Sequence, residues 1–141
     1  MPIEILLVED SLADVRLTRR ALQRGRVPSN VHVVRDGVEA MAFVQRQAQY
    51  ADAPRPSLIL LDLNLPRKDG RAVLAEIKSD AELRSIPVVV LTTSLAPEDV
   101  RTCYQLHANC FLVKPVDLDG FTATILAIEE FWLSRVKLPP A

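Results

Sequence analysis

The feature that most constrains this 141-residue chain is a set of five short apolar runs that do not alternate with polar residues. Strands covered on both faces have this pattern, because helices pack against the two sides of their sheet. Segments with helical spacing separate the runs, and each is about long enough for one crossover helix. The runs are Ile3 to Val8, Val31 to Val34, Leu58 to Leu61, Val88 to Leu91 and Cys110 to Val113.

The segments between the runs predict five helices. They begin after Ser11, after the turn Asp36-Gly37, after Gly70, at Pro97 and at Asp117, and the last one runs to about Arg135. Five βα repeats predict an α/β fold with a doubly wound, five-stranded parallel sheet. We expect one domain over residues 1–136 and a C-terminal tail over residues 137–141.

Composition and charge exclude several classes of partner. The charged fraction is 25% and the net charge is −1, so the chain lacks the basic footprint typical of nucleic-acid binding. No apolar run approaches the ~20 residues that span a bilayer, and no basic region precedes a long apolar stretch at the start. These observations predict a cytoplasmic protein without a nucleic-acid or membrane partner. Cys103 and Cys110 are too far apart for a C-x-x-C pair and are expected to be free thiols.

Polar residues follow four of the predicted strands at the point where each strand ends. They are Glu9 and Asp10 after the first run, Asp62 with Asn64 after the third, Thr92 and Thr93 at the fourth, and Lys114 and Pro115 after the fifth. The carboxyl ends of parallel strands lie at one edge of the sheet, where ligands bind in open α/β folds. We therefore expect these side chains to converge on one site.

The chemistry of this set indicates a metal-assisted phosphoryl transfer. Carboxylates about 4 Å apart repel each other by roughly 1 kcal/mol in water and about 4 kcal/mol at an effective dielectric of 20, so the cluster predicts a cation. A few oxygen ligands at the rim of a cleft favour Mg²⁺. A carboxylate, a hydroxyl and a lysine beside a metal are suited to phosphoryl transfer, with Asp62 as the nucleophile and with Thr92 and Lys114 contacting phosphoryl oxygens.

Four segments together resemble the receiver domain of two-component response regulators. They are residues 6–11, residues 61–70, Leu91-Thr92 and Val113-Lys114-Pro115, and the resemblance extends from Ile3 to about Arg135. It implies the flavodoxin-like (βα)5 receiver fold. It also implies a single-domain regulator that accepts a phosphoryl group from a histidine kinase and changes its interaction surface. Apart from its own phosphorylation and dephosphorylation, such a chain is not expected to be an enzyme.

The resemblance assigns roles by position. It makes Asp62 the phosphoacceptor, Asp10 a direct ligand of Mg²⁺, Glu9 a ligand through water and Asn64 a ligand through its backbone carbonyl. Thr92 and Lys114 match the phosphoryl contacts, whereas Asn64 and Ser94 match the positions that tune hydrolysis. The bond before Pro115 is expected to be cis, since only an X-Pro bond makes that form accessible.

Two positions depart from the family pattern. Phe111 stands where many relatives have tyrosine, so any aromatic movement coupled to Thr92 would lack a hydroxyl group, and a simple core role for Phe111 is the alternative. Thr93 is bulkier than the alanine often found beside the switch hydroxyl and would crowd the entrance to the site.

The end of the chain, Phe131-Trp132-Leu133 with Val136 and Leu138-Pro139, resembles regulators paired with bacterial phytochromes. This similarity makes a bacterial phytochrome the expected partner kinase. Helical spacing predicts one apolar stripe that faces the sheet, formed by Leu118, Phe121, Ile125, Ile128 and Trp132. Leu126 and Leu133 form a second stripe, with Val136 and Leu138 just beyond, and this stripe predicts a homodimer. The alternative is one broad stripe whose tail packs against its own domain.

Three other functions fit the sequence less well. A haloacid-dehalogenase-like phosphatase needs an acid two residues after its nucleophile, and the amide of Asn64 cannot protonate a leaving group. A dinucleotide-binding domain needs a G-x-G-x-x-G segment after its first strand, and none is present. A receiver-like module that is never phosphorylated usually lacks one of the acids, whereas this chain has them all.

Overall fold

The fold was analysed in a computed structural model that describes residues 2–140, so Met1 and Ala141, at the ends of the predicted domain and tail, lie outside it. Its five strands are β1 (Ile3–Val8), β2 (Ser29–Val34), β3 (Leu58–Leu61), β4 (Val88–Thr92) and β5 (Cys110–Val113). All neighbours are parallel, in the order β2-β1-β3-β4-β5. The predicted doubly wound, flavodoxin-like fold is therefore confirmed.

Five helices connect and cover the strands. They are α1 (Leu12–Arg24), α2 (Gly37–Val44), α3 (Gly70–Ser79), α4 (Pro97–Gln105) and α5 (Leu118–Ile128). A short 3₁₀ turn, Ala48–Tyr50, lies in the loop before β3, and a π-helical segment, Glu129–Arg135, continues α5. Within residues 2–140, none of these helices is long and apolar enough to cross a membrane.

The sheet separates two apolar cores. Along β1, Leu6 and Val8 face the core covered by α2, α3 and α4, whereas Ile5 and Leu7 face the core covered by α1 and α5. Both faces of the central strands are thus buried, which explains why their sequences are continuously apolar instead of alternating.

Side-chain caps explain why most of the predicted helix starts agree with the structure. Each of four cap side chains accepts a hydrogen bond from a backbone N–H in the first helical turn, and these caps are Ser11, Asp36, Asp69 and Asp117. Helix α4 has no such side-chain cap and instead begins with Pro97, whose fixed φ suits a first helical position.

The end of α5 departs from the predicted helical phase. Leu133 is buried with 7% of its surface exposed, whereas Trp132 is only partly buried and Phe131 is 54% exposed. The π-helical segment advances five residues where an α-helix advances four, so Leu133 follows Ile128 on the inward face. The prediction that Leu133 lies on an outer partner surface is wrong, and so is the inward position predicted for Leu118, which is exposed.

The tail follows the alternative in which it packs against its own domain. Leu138 contacts the core on the α1 and α5 side, and Pro139 and Pro140 line a small cleft together with Pro56 and Ile86. The tail therefore lies near the starts of β3 and β4, at the edge of the sheet opposite the predicted site.

A buried acid joins this C-terminal segment to the turn after α1. Glu129 is 4% exposed, and its Oε2 accepts a hydrogen bond of 2.7 Å from the backbone N–H of Val27. The carboxylate lies so close over Gly25 that a Cβ at that position would collide with it. A larger residue at position 25 would therefore have to displace the Glu129 carboxylate from its bond to Val27.

We predict that Glu129→Ala lowers the free energy of unfolding by about 2 kcal/mol, because a buried N–H group loses a charged acceptor. Urea denaturation measures this change. Glu130→Ala is the control, since it removes only an exposed pair with Arg135 and should cost under about 1 kcal/mol. Equal effects of the two substitutions would contradict a special role for Glu129.

Candidate functional site

The predicted polar side chains meet at the carboxyl edge of the sheet. Glu9 follows β1, Asp62 follows β3, Thr92 ends β4 and Lys114 follows β5. After β1 the chain continues to β2 on one side of β1, whereas β3 pairs with β1 on its other side, so the connections run in opposite directions from β1. A crevice opens at such a point, which is where open α/β sheets bind their ligands.

Lys114 lies at the centre of this crevice. Its side chain is 5% exposed, and Nζ lies 2.5 Å from Glu9 Oε2, 2.8 Å from Asp14 Oδ2 and 3.0 Å from Asp62 Oδ2. An ammonium group has three N–H donors, so each donor has one carboxylate acceptor. Asp14 is a member of this site that the sequence analysis did not identify.

Three carboxylates form a group that could hold a metal ion. Glu9, Asp10 and Asp62 each offer one oxygen, and these oxygens lie within 4.8 Å of one another. Asp10 is the least buried of the three, so the group opens toward solvent on its side. An oxygen-only donor set of this size fits a hard divalent cation, which would offset the negative charge that Lys114 alone leaves uncompensated.

The ionisation of Glu9 and Lys114 reflects their burial and their contact. Burial raises the pKa of Glu9 to about 7, although hydrogen bonds from Lys114 and from the backbone of Ser11 favour the carboxylate. Burial disfavours the ammonium of Lys114, but its bonds to Asp14 and Glu9 outweigh this effect and raise its pKa. A metal ion beside Glu9 would favour the ionised form, so metal binding and ionisation of Glu9 support each other.

Thr92 presents an unusual polar atom to this site. Its side chain is fully buried, and Oγ1 is the one buried side-chain N or O atom of residues 2–140 that has no hydrogen-bond partner. A buried hydroxyl without a partner is costly, and a ligand that supplies the missing partner is one explanation for such a group. The neighbouring Thr93 is exposed, as expected for a residue at the entrance.

Ser94 belongs to a hydrogen-bond network that links two loops of the site. Its Oγ donates to Asp99 Oδ2 over 2.5 Å, and Asp99 Oδ1 accepts from Arg71 over 2.6 Å. Arg71 also pairs with Asp69 at 3.1 Å, and the bonds from Ser94 and Arg71 lower the pKa of Asp99. No sequence pattern predicts this network, because Arg71 and Asp99 are 28 residues apart and neither follows a strand.

The loop after β3 folds tightly onto α3. Asn64 is exposed, and its backbone N–H donates to Asp62 Oδ1 over 3.3 Å. Gly70 N–H donates to the carbonyl of Leu63, and a Cβ on Gly70 would collide with the carbonyl of Asp62. Glycine at this position therefore lets α3 begin directly beside the candidate phosphoacceptor.

Phe111 is partly buried and packs against the core on the α2, α3 and α4 side. The nearby aromatic hydroxyl belongs to Tyr104, which accepts a hydrogen bond of 3.2 Å from the backbone N–H of Phe111. The structure therefore agrees with the core role that was the alternative for Phe111.

The predicted cis bond before Pro115 is wrong, since residues 2–140 contain no cis peptide bond. An X-Pro bond prefers trans by about 0.5–1 kcal/mol. With the trans bond, the backbone N–H of Lys114 donates to the carbonyl of Thr92 over 2.7 Å, so this strand-end contact does not require the cis form.

Comparison with known proteins agrees with this geometry. The family model of the response regulator receiver domain matches residues 5–126, and the chain belongs to this family. Response regulator Rcp1 of Synechocystis sp. is 53% identical over 140 residues, which cover 99% of this chain and 95% of that protein.

Two solved structures are similar over almost the whole chain. The crystal structure of the Mn(2+)-bound form of Rcp1 has a TM-score of 0.96 at 52% identity and covers 99% of this chain and 100% of that one. The phosphorylated cyanobacterial phytochrome response regulator RcpA has a TM-score of 0.96 at 53% identity, with the same coverage. The predicted resemblance to phytochrome-associated regulators is confirmed. The chain is a receiver-domain response regulator, a class that histidine kinases phosphorylate on aspartate.

The buried hydroxyl of Thr92 gives a stability prediction. Thr92→Val keeps the shape of the side chain and removes the unpartnered hydroxyl, so it should raise the free energy of unfolding of the unphosphorylated protein by about 1 kcal/mol. Urea denaturation measures the change, with the exposed neighbour in Thr93→Val as a control that should have little effect. A loss of stability in Thr92→Val would show that the hydroxyl has a partner in solution.

Proposed function

We propose that this chain is a single-domain response regulator in which Asp62 accepts a phosphoryl group from a histidine kinase. The observation that supports this most strongly is the position of Asp62, which is buried at the end of β3, belongs to the carboxylate group and contacts Lys114. A carboxylate oxygen of Asp62 would attack the phosphorus. The P–N bond to the kinase histidine would break with its electron pair remaining on the ring nitrogen, and the product would be an aspartyl phosphate.

We propose Mg²⁺ as the metal. Asp10 and Asp62 would bind it through carboxylates, Asn64 through its backbone carbonyl and Glu9 through water. The oxygen-only donor set supports this choice, and so does the Mn²⁺ in the similar Rcp1 structure. When bound, the ion supplies positive charge that offsets the charge on the transferred phosphoryl oxygens.

The remaining groups of the pocket would bind the phosphoryl oxygens. Lys114 carries a buried ammonium that lies 3.0 Å from Asp62, and Thr92 carries the hydroxyl that lacks a partner. Movement of Thr92 toward the phosphoryl group would carry the loop after β4 with it. Thr93 at the entrance and Phe111 on β5 would then shift, and the surface of the domain would change.

We propose that Asn64 and Ser94 tune the hydrolysis of the aspartyl phosphate, which is the only reaction the chain would catalyse besides its own phosphorylation. The hydrogen bond that Ser94 donates to Asp99 sets which way the Ser94 hydroxyl points. Because the hydroxyl proton of Ser94 is directed to Asp99, its oxygen would act as an acceptor toward the attacking water.

The proposed partner kinase is a bacterial phytochrome, and the similarity to the phytochrome response regulator RcpA supports it. We place the protein in the cytoplasm, where such kinases use ATP. The division into a receiver domain, residues 1–136, and a tail, residues 137–141, is part of the same proposal.

We also propose a homodimer, on a different surface from the one predicted. Four apolar side chains are exposed around the edge strand β5 and its neighbours α4 and α5, namely Tyr104, Val113, Val116 and Leu118. Leu133, by contrast, is buried within the domain. Grouped apolar exposure beside an edge strand is typical of an association surface.

The phosphoacceptor and the metal are tested together. Asp62→Asn should abolish labelling by acetyl phosphate and by a phytochrome histidine kinase, because an amide is not a nucleophile toward phosphorus. Removing Mg²⁺ with EDTA, or replacing the ligand in Asp10→Ala, should also prevent labelling. Intact-mass analysis measures the added phosphoryl group, and Asp52→Asn, an exposed acid at the opposite edge of the sheet, is the matched control.

Three results would count against this proposal. A phosphoryl adduct on the Asp62→Asn protein would place the acceptor elsewhere, and full labelling in EDTA would exclude the metal role. Labelling that is lost in Asp52→Asn would show that general loss of charge, not the site, explains the effect.

The dimer is tested by light scattering at tens of micromolar protein, with and without beryllofluoride. We expect a dimer mass in at least one state, and Val116→Asp with Leu118→Asp should convert it to a monomer because charge is placed on the apolar surface. Val38→Asp, an exposed apolar residue on α2, is the control. A monomeric mass in both states would contradict the proposal.

A further inference from the structure

Asp14 lies in the first turn of α1, and its carboxylate points to Lys114 in the site. It lies three residues after the cap Ser11, and its N–H donates to Ser11 Oγ over 3.3 Å. In a helix start of this kind, the acidic side chain commonly returns to the N–H of the cap residue. Here Glu9 Oε1 accepts from the N–H of Ser11 over 3.0 Å, and Asp14 Oδ2 instead lies 2.8 Å from Lys114 Nζ.

Asp14 differs from the other two acceptors of Lys114. Glu9 and Asp62 belong to the carboxylate group that could hold a metal ion, whereas Asp14 does not. A cation in that group would draw on the negative charge of Glu9 and Asp62, and phosphorylation would convert Asp62 to an acyl phosphate. Asp14 is therefore the one acceptor whose full charge stays available to Lys114 throughout the reaction.

We propose that Asp14 is a positioning residue that keeps the Lys114 ammonium in the pocket, directed at the phosphoryl group, once a metal ion has bound. This inference rests on the function proposed above for Asp62 and Lys114. The three donors of the ammonium make it possible. Lys114 keeps its bond to Asp14 while the donor that now points to Asp62 turns to a phosphoryl oxygen.

Burial and charge explain why an anchor is needed. The side chain of Lys114 is 5% exposed, and a buried ammonium without carboxylate partners is strongly destabilised. Positive charge held by the carboxylate group would also repel the ammonium. Without Asp14, the flexible lysine side chain would leave its position toward solvent, and the phosphoryl group would lose a directed contact.

The kinetic test compares Asp14→Asn with Asp52→Asn at saturating Mg²⁺. Asp14→Asn keeps the shape of the side chain, and we expect transfer from acetyl phosphate to be about tenfold slower, as is common when the partner of a functional group is lost. The Asp52→Asn protein should keep the wild-type rate. In a Lys114→Ala background, Asp14→Asn should cause no further loss, because the two residues act through one contact.

The second readout does not depend on phosphorylation. The ¹⁵Nζ signal of Lys114 should be protected from solvent exchange in the wild-type protein, with and without Mg²⁺. In Asp14→Asn, the signal should persist without the metal, since Glu9 and Asp62 still bind the ammonium, and should be lost when Mg²⁺ is added. The same signal in both proteins under both conditions would overturn the inference.

The failure of this inference is distinguishable from the failure of the proposed function. If the wild-type protein is labelled on Asp62 but Asp14→Asn transfers at an unchanged or faster rate, only the role of Asp14 is wrong. The same holds if Asp14→Asn is equally damaging in the Lys114→Ala background. If Asp62→Asn is still labelled, the proposed function itself is wrong.

Discussion

The contact between one buried ammonium and a crowded set of carboxylates determines the arrangement of this protein. Lys114 lies 105 residues from Glu9 and 52 residues from Asp62 in sequence. Its ion pairs therefore connect the ends of β1, β3 and β5. Removing one member of such a buried set commonly costs about 3–5 kcal/mol, because the remaining charges lose their compensation. Stability therefore depends on the same atoms that the proposed phosphoryl transfer would use, and a bound cation would offset the repulsion among the carboxylates.

Much of the fold could be predicted because its signals are local. The apolar runs give the bounds of β1, β3 and β5, and in the central strands β1 and β3 the reason is that helices cover both faces. Strand β2 begins two residues earlier than predicted, at Ser29, because an edge strand accepts polar residues that still pair with β1. The starts of the capped helices could also be predicted, because a cap involves only one side chain and the turn that follows it.

The predicted site was incomplete for a physical reason. Residues that follow strands were found, because parallel topology alone brings them together. Asp14 and the pair of Arg71 and Asp99 were missed, because they reach the site from helices and their partners are distant in sequence. The phase of the last helix was also missed. A charged residue such as Glu129 is expected at the surface, so its burial could not be predicted from its type. The spacing of the apolar residues also does not indicate the π-helical turn that buries Leu133.

The unpartnered hydroxyl of Thr92 has a consequence for signalling thermodynamics. A cost of about 1–3 kcal/mol in the resting arrangement raises the equilibrium population of any alternative arrangement that satisfies the hydroxyl by roughly 5- to 150-fold. In the function proposed above, phosphorylation would then supply only the remainder of the free-energy gap between the two arrangements. In the proposed mechanism, this one atom therefore biases the unphosphorylated protein toward the arrangement in which Thr92 contacts the phosphoryl group.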